Sequence, residues 1–303
     1  MPTRSDLPGW AAHQAFVQPA RLRPEVWRVV LGVFLIIAVG TALNTTLGIV
    51  LSTMAPDFWH TDVTGPEGPG HSPGALLLLL LTFGFFTCGA VAAAGLVHRR
   101  GWLSLIGPLR PAMAQFRAVA LTVIALGAVI ALLPPYSTGL NLEPNLAFGT
   151  WVALLPLSLV ALMVQVSAEE ILFRGYLQQQ LAARFASPWI WIGVPSLLFA
   201  AGHYVPSETG ENALWIAVWA ALFGALMADL TARAGTLGPA IAVHFVNNMV
   251  ALLLVSVSDS MGGLALFISP TAASDPALVR AWLPVDFAMM LVSWLAARLA
   301  LRR

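Results

Sequence analysis

Eight runs of mostly apolar residues divide this chain, and most approach the roughly 20 residues that a helix needs to cross a bilayer. They lie near Val26–Leu51, Gly74–Val97, Phe116–Leu133, Phe148–Val166, Pro188–Gly202, Ala213–Leu230, Leu237–Val257 and Trp282–Leu301. Composition agrees, with 58% hydrophobic and only 10% charged residues, whereas soluble domains carry about a quarter charged residues. The chain therefore reads as an all-α integral membrane protein, a bundle of about eight transmembrane helices. The fourth run is expected to continue as helix to about Arg184, and the fifth is the shortest. No internal repeat and no soluble domain is visible, so residues 1–303 read as a single transmembrane helical domain. Residues 1–25 form a polar N-terminal stretch. The run that follows is longer than a signal-peptide core and no small-residue cleavage site closes it, so it is expected to remain as a membrane helix.

Arginine sets the orientation, because basic residues collect in cytoplasmic loops. Arg4, Arg21, Arg23 and Arg28 precede or open the first run, and Arg99, Arg100, Arg110 and Arg117 follow the second. Arg184 follows the fourth, Arg233 the sixth, and Arg298, Arg302 and Arg303 the last. The alternate loops, Ser52–Pro73, Pro134–Leu146 and Tyr204–Asn212, are nearly free of arginine; Arg280 alone breaks the pattern. Both termini are expected to be cytoplasmic. The net charge of +1 is spread along the loops and gives no nucleic-acid surface. The one cysteine, Cys88, excludes an intramolecular disulfide and a cysteine-rich metal site, and its small neighbours suggest a packing role.

Ionisable side chains at membrane depth are expensive and usually face a bundle interior or a water-filled cavity. Three groups stand inside the apolar runs: Glu169, Glu170 and Arg174; His203; and His244 with Asn248. Glu170 and Arg174 are four residues apart on one helix face and can pair. Glu169 is turned about 100° away and is left available for chemistry. His244 and Asn248 likewise share a face, while Asn247 points elsewhere. Each group also has a plain structural reading: a helix-end ion pair, a hydrogen-bonded histidine, or polar glue between helices. Their depths nevertheless agree. Measured from the basic end of each helix, Glu170, His203 and His244 lie roughly 21, 22 and 16 Å along it at 1.5 Å per residue. One intramembrane polar cavity could hold all three groups. Asp229 and Asp286 are expected near the membrane surface, and the 11 tryptophans mostly at helix ends or facing lipid. Gln165 and Ser167 could line the cavity, with helix packing the plainer role.

The three groups form an ordered set of motifs: Glu169-Glu170-Ile-Leu-Phe-Arg174, Phe199-Ala-Ala-Gly-His203 and His244-Phe-Val-Asn-Asn248. In this the sequence resembles the CAAX protease and bacteriocin-processing (Abi) family of intramembrane proteases, related to the Ras-converting CAAX endopeptidase. That family is marked by Glu-Glu-x-x-x-Arg, Phe-x-x-x-His and His-x-x-x-Asn or Asp. The resemblance covers residues 150–257 and implies a catalytic core there. It implies an endopeptidase acting on a peptide or membrane-protein substrate, in a bacterial plasma membrane. By resemblance Glu169 is the general base that activates water, and His203 orients that water. His244 and Asn248 donate to the oxyanion, and Glu170 with Arg174 holds these groups in place.

No cofactor is expected. A zinc-dependent version is the alternative, since one Glu and two His could bind zinc with an open position; no His-Glu-x-x-His occurs. Two other functions compete. One is a non-catalytic membrane scaffold or immunity factor of the same fold. The other is a small proton-relaying transporter, which paired repeats would support.

Overall fold

The computed structural model describes residues 10–133, 142–257, 261–269 and 275–302. Arg4, Arg303 and most of the 134–146 loop lie outside them. A short helix, α1 (Ala11–Val17), and a 3-10 turn (Gln18–Leu22) precede the membrane part. Helix α2 (Val26–Met54) follows, then α3 (Pro73–Val97), whose last turn is π-helical. Ser72 caps α3 by accepting from the Ala75 amide at 3.3 Å, with Pro73 in the first turn, where its missing N–H costs nothing. Helix α4 (Leu109–Ala131) leads to α5 (Phe148–Arg184), which is unbroken through the two glutamates as the sequence suggests. The remainder is α6 (Pro188–Gly202), α7 (Ala213–Ala234), α8 (Gly238–Leu254) and α9 (Pro276–Ala300).

The molecule is an all-α membrane protein, with six helical stretches among the described residues long and apolar enough to cross a membrane. The expected count of eight is not matched, because the fifth and seventh runs form the shorter helices α6 and α8. Helix α6 ends at Gly202, before Pro206 opens the next turn. Helix α8 starts late because Gly235, at φ 71°, closes α7 in the left-handed conformation that glycine tolerates. It ends where Val255 turns extended. The extended chain there enters a three-stranded sheet of β1 (Glu143–Pro144), β2 (Val255–Val257) and β3 (Phe267–Ser269), in the order β1-β3-β2. β3 is antiparallel to β1 and parallel to β2.

Helix α5 sits between two packing layers. One face meets α2 and α3 through Ile36, Ala90 and Tyr176, and another meets α3 and α8 through Leu80, Leu162 and Leu253. A third cluster joins α4, α6, α7, α8 and α9 around Val119, Phe199, Phe223, Val243 and Met290. Small residues set the closest approaches, as in membrane bundles generally. A methyl group at Gly89 would lie 2.8 Å from the Ile36 Cα, and one at Gly224 3.0 Å from the Ser196 Cα. Leucine, valine and phenylalanine side chains cover the outward faces, for example Phe34, Leu121, Val160 and Leu197. Cys88 is on that exposed face, contrary to the packing role expected of it; its neighbours Gly89 and Ala90 make the contact. Arg100, expected in a solvated loop, is buried, donating to Gln179 Oε1 at 2.7 Å and to the Gly175 carbonyl at 3.2 Å. Burial lowers its pKa to about 10.

Candidate active site

Helix α5 changes register just after the glutamates: residues 148–170 are α-helical and 171–178 π-helical. π-turns inside α-helices are rare and frequent at functional sites. Glu170, Arg174 and Gln178 follow one another at four-residue intervals across this turn, and all three are buried. Arg174 Nη1 donates to Glu170 Oε1 at 2.9 Å, and Nη2 donates to the Gly224 carbonyl of α7 at 3.3 Å. Its guanidinium lies 5.0 Å from the centre of the Phe199 ring of α6. One arginine therefore ties three helices around the pair. Gln178 donates to the Ala228 carbonyl at 3.1 Å.

Helix α8 brings His244 to the same carboxylate. Its Nδ1 is 2.8 Å from Glu170 Oε1, and its Nε2 is 3.5 Å from Glu169 Oε2. The first is a hydrogen bond; the second is long for one, at ion-pair distance. A proton on Nδ1 suits the Glu170 carboxylate, which fixes the ring so that Nε2 faces Glu169. Phe223 packs edge-on to the imidazole at 5.0 Å, and Trp219 stacks on Phe223 at 5.3 Å. Oε2 of Glu169 and Oε2 of Glu170 are both buried without a hydrogen-bonding partner among the described residues. Such acceptors are exceptional in a folded interior.

Asn248 lies beside this network, its Nδ2 donating to Gln165 Oε1 at 3.2 Å. Gln165 is one turn before Glu169 on α5, a spacing that puts the two on one face; that spacing is the signal for a role beyond helix packing. His203 ends α6 with Nδ1 2.9 Å from the Phe199 carbonyl, and no hydrogen bond joins it to either glutamate. The Phe199 ring separates it from the cluster, 4.3 Å from the His203 ring and 6.3 Å from that of His244. The structure thus joins Glu169, Glu170, Arg174 and His244 in one network, adds Asn248 through Gln165, and leaves His203 one aromatic ring away.

Two clefts, of about 240 and 490 Å³, lie under the N-terminal segment and include none of these six residues. Among the described residues no three His, Cys, Asp or Glu side chains are placed to hold a metal. Nδ1 of His244 is engaged by the Glu170 carboxylate and Nδ1 of His203 by the Phe199 carbonyl, which leaves Nε2 as the remaining ring nitrogen of each. A second carboxylate centre escaped the sequence reading. Asp229, expected near the membrane surface, is buried within the protein and accepts from Trp10 Nε1 at 2.9 Å, Trp294 Nε1 at 3.0 Å and Arg233 Nε at 2.8 Å.

A buried carboxylate–imidazole–guanidinium network inside membrane helices defines the class: a membrane protein with a polar site suited to acid–base chemistry. The family model for type II CAAX prenyl endopeptidases, Rce1-like, matches residues 150–250, the stretch that holds all six residues. The resemblance read from the three motifs is borne out there, and it supports a peptidase. The chain is also 27% identical over 148 residues to the uncharacterized protein YyaK of Bacillus subtilis (strain 168). That match covers 49% of this chain and 48% of the relative, so the chain spans about half the length of the curated relative. No solved structure matches it.

Proposed function

We propose that this protein is an intramembrane endopeptidase in which Glu169 activates the attacking water. The observation that carries the proposal is the Glu169–His244–Glu170–Arg174 network, in which Glu170 is bonded to Arg174 and His244 through Oε1, while Glu169 turns a buried, unbonded Oε2 toward the same imidazole. Glu170 is committed to Arg174 and His244 and serves to position them. Glu169 takes a proton from water as that water attacks the peptide carbonyl, then returns it to the leaving amine. His244 Nε2, 3.5 Å from Glu169 Oε2, is placed to share that proton or to donate to the oxyanion. The donor role requires a proton on both ring nitrogens, because Nδ1 serves Glu170. Asn248 has a second amide hydrogen beyond the one given to Gln165 and supplies a further donor. His203 keeps Nε2 for water or substrate. The reaction uses no cofactor.

The substrate is a peptide or the exposed segment of another membrane protein. The arginine-rich loops and both termini face the cytoplasm of a plasma membrane, and the chain folds as one helical unit. Cleavage of a quenched fluorescent peptide library by purified protein tests the reading, with Glu169→Gln alongside and a strong chelator in half of the samples. Glu169→Gln should lower the rate by about a hundredfold or more, and the chelator should leave wild type unchanged. Full activity in the variant removes the base. Loss with chelator that zinc restores replaces this mechanism by the metal one.

A further inference from the structure

We propose that the cleft between the N-terminal segment and the end of α5 binds the phosphate-bearing headgroup of an anionic phospholipid. The cleft holds about 240 Å³, equal to roughly eight waters at about 30 Å³ each. Arg21, from the 3-10 turn after α1, and Arg184, the last residue of α5, both line it. Trp10, Phe185 and Trp191 supply apolar wall.

The charges point to the ligand. Arg28, Arg174, Arg233 and Arg280 each pair with a carboxylate. Arg21 and Arg184 pair with none among the described residues. Arg21 donates only to the neutral side chains of Gln14 and Gln18, and Arg184 lies over the Phe185 ring at 5.6 Å. Asp229, which Trp10 reaches, already accepts from three donors. His13, also in the wall, adds no compensating charge. Two uncompensated guanidiniums on one small cleft match the two non-bridging oxygens of a phosphodiester, since guanidinium is the side chain best shaped for phosphate. A choline or ethanolamine cation would be repelled by the same pair, which favours a headgroup with net negative charge.

Position points to the source. The cleft lies where α5 ends and α6 begins; next to its lining residues in sequence stand Leu22, 72% exposed, after Arg21, and Trp189, 85% exposed, two positions before Trp191. Tryptophan prefers the level of the lipid headgroups, and basic pockets between membrane helices at that level take anionic heads. A lipid seated there would pin the N-terminal segment to the helix that carries Glu169.

The test titrates the purified full-length protein, in neutral detergent, with dihexanoyl phosphatidylglycerol, dihexanoyl phosphatidylcholine or inorganic phosphate. Melting temperature and native mass spectrometry are the readouts. Phosphatidylglycerol should bind saturably and raise the melting temperature, with phosphatidylcholine about tenfold weaker or more. Arg21→Gln/Arg184→Gln should weaken phosphatidylglycerol by about tenfold or more, whereas Arg110→Gln, at an exposed arginine outside the cleft, should not. Both cleft arginines are exposed, so the fold should survive; Arg21→Lys/Arg184→Lys, which keeps both charges, should retain binding. Equal binding of the two lipids, or an unchanged double glutamine variant, overturns the site. Saturation by inorganic phosphate at the same concentration overturns the lipid assignment.

Discussion

Acid should release the N-terminal segment, because His13 is buried as the neutral form. Its ring packs 4.4 Å from Trp191, and its Nε2 faces the Gln178 amide nitrogen at 3.4 Å. Gln178 gives one amide hydrogen to the Ala228 carbonyl, so the other points at His13 Nε2, which must accept. Protonation would set donor against donor. Burial, reinforced by the nearby Arg21 charge, lowers the His13 pKa to about 4, against 6.5 in water. The detached segment therefore binds the proton more readily than the docked one. Docking is unaffected above 6.5, weakens as pH falls below that value, and reaches its full penalty below about 4. The gap corresponds to about 3 kcal/mol in full and to about 2 kcal/mol at pH 5. Two kcal/mol is roughly a thirtyfold change in the opening equilibrium. Hydrogen exchange of peptides covering residues 11–22 at pH 7 and pH 5, corrected for intrinsic rates, measures this directly. Protection should fall about thirtyfold in wild type. In His13→Phe, which keeps a ring against Trp191 but cannot titrate, it should barely move. An equal drop in both proteins, or none in wild type, would refute the argument.

Arg174→Ala should cost about 3–5 kcal/mol, because it strands a buried carboxylate; thermal melts in detergent would show this as a large loss of melting temperature, with cleavage lost as well. Gly32→Ala should destabilise by about 1–3 kcal/mol through overpacking. A methyl group there overlaps the Tyr176 hydroxyl, which hydrogen-bonds His98 Nε2 at 2.8 Å; chemical denaturation would give the size of the effect. Asp229→Asn weakens bonds to Arg233, Trp10 and Trp294, each worth about 1.5–3 kcal/mol when charge-assisted. Exchange at residues 11–22 should therefore rise at neutral pH in that variant.

Contacts within one helix were legible in the sequence, because spacing alone decides them. The four-residue interval from Glu170 to Arg174 implies a shared face, and the run from Phe148 to Arg184 reads as one helix. Contacts between helices were not. His244 meets Glu170 across 74 positions only because α8 and α5 cross with particular rotations, and apolar composition does not encode rotation. The same gap explains Asp229. Its neighbour Arg233 is visible on the helix, whereas Trp10 and Trp294 arrive from opposite ends of the described chain. Cys88 misled for the converse reason: small neighbours reveal a close helix approach but not which side of the helix makes it. Arg100 was read as a loop charge because its partners, Gln179 and Gly175, belong to a helix far along the chain.

The Asp229 junction constrains the order in which the protein can be finished. Trp10 lies 219 positions before the carboxylate and Trp294 lies 65 after it. At synthesis rates of about 5–20 residues per second, roughly a quarter-minute to a minute separates the first donor from the last. The N-terminal segment finds Gln178, Trp191 and Asp229 before Trp294 is made, so the carboxylate gains its first tryptophan partner ahead of its second.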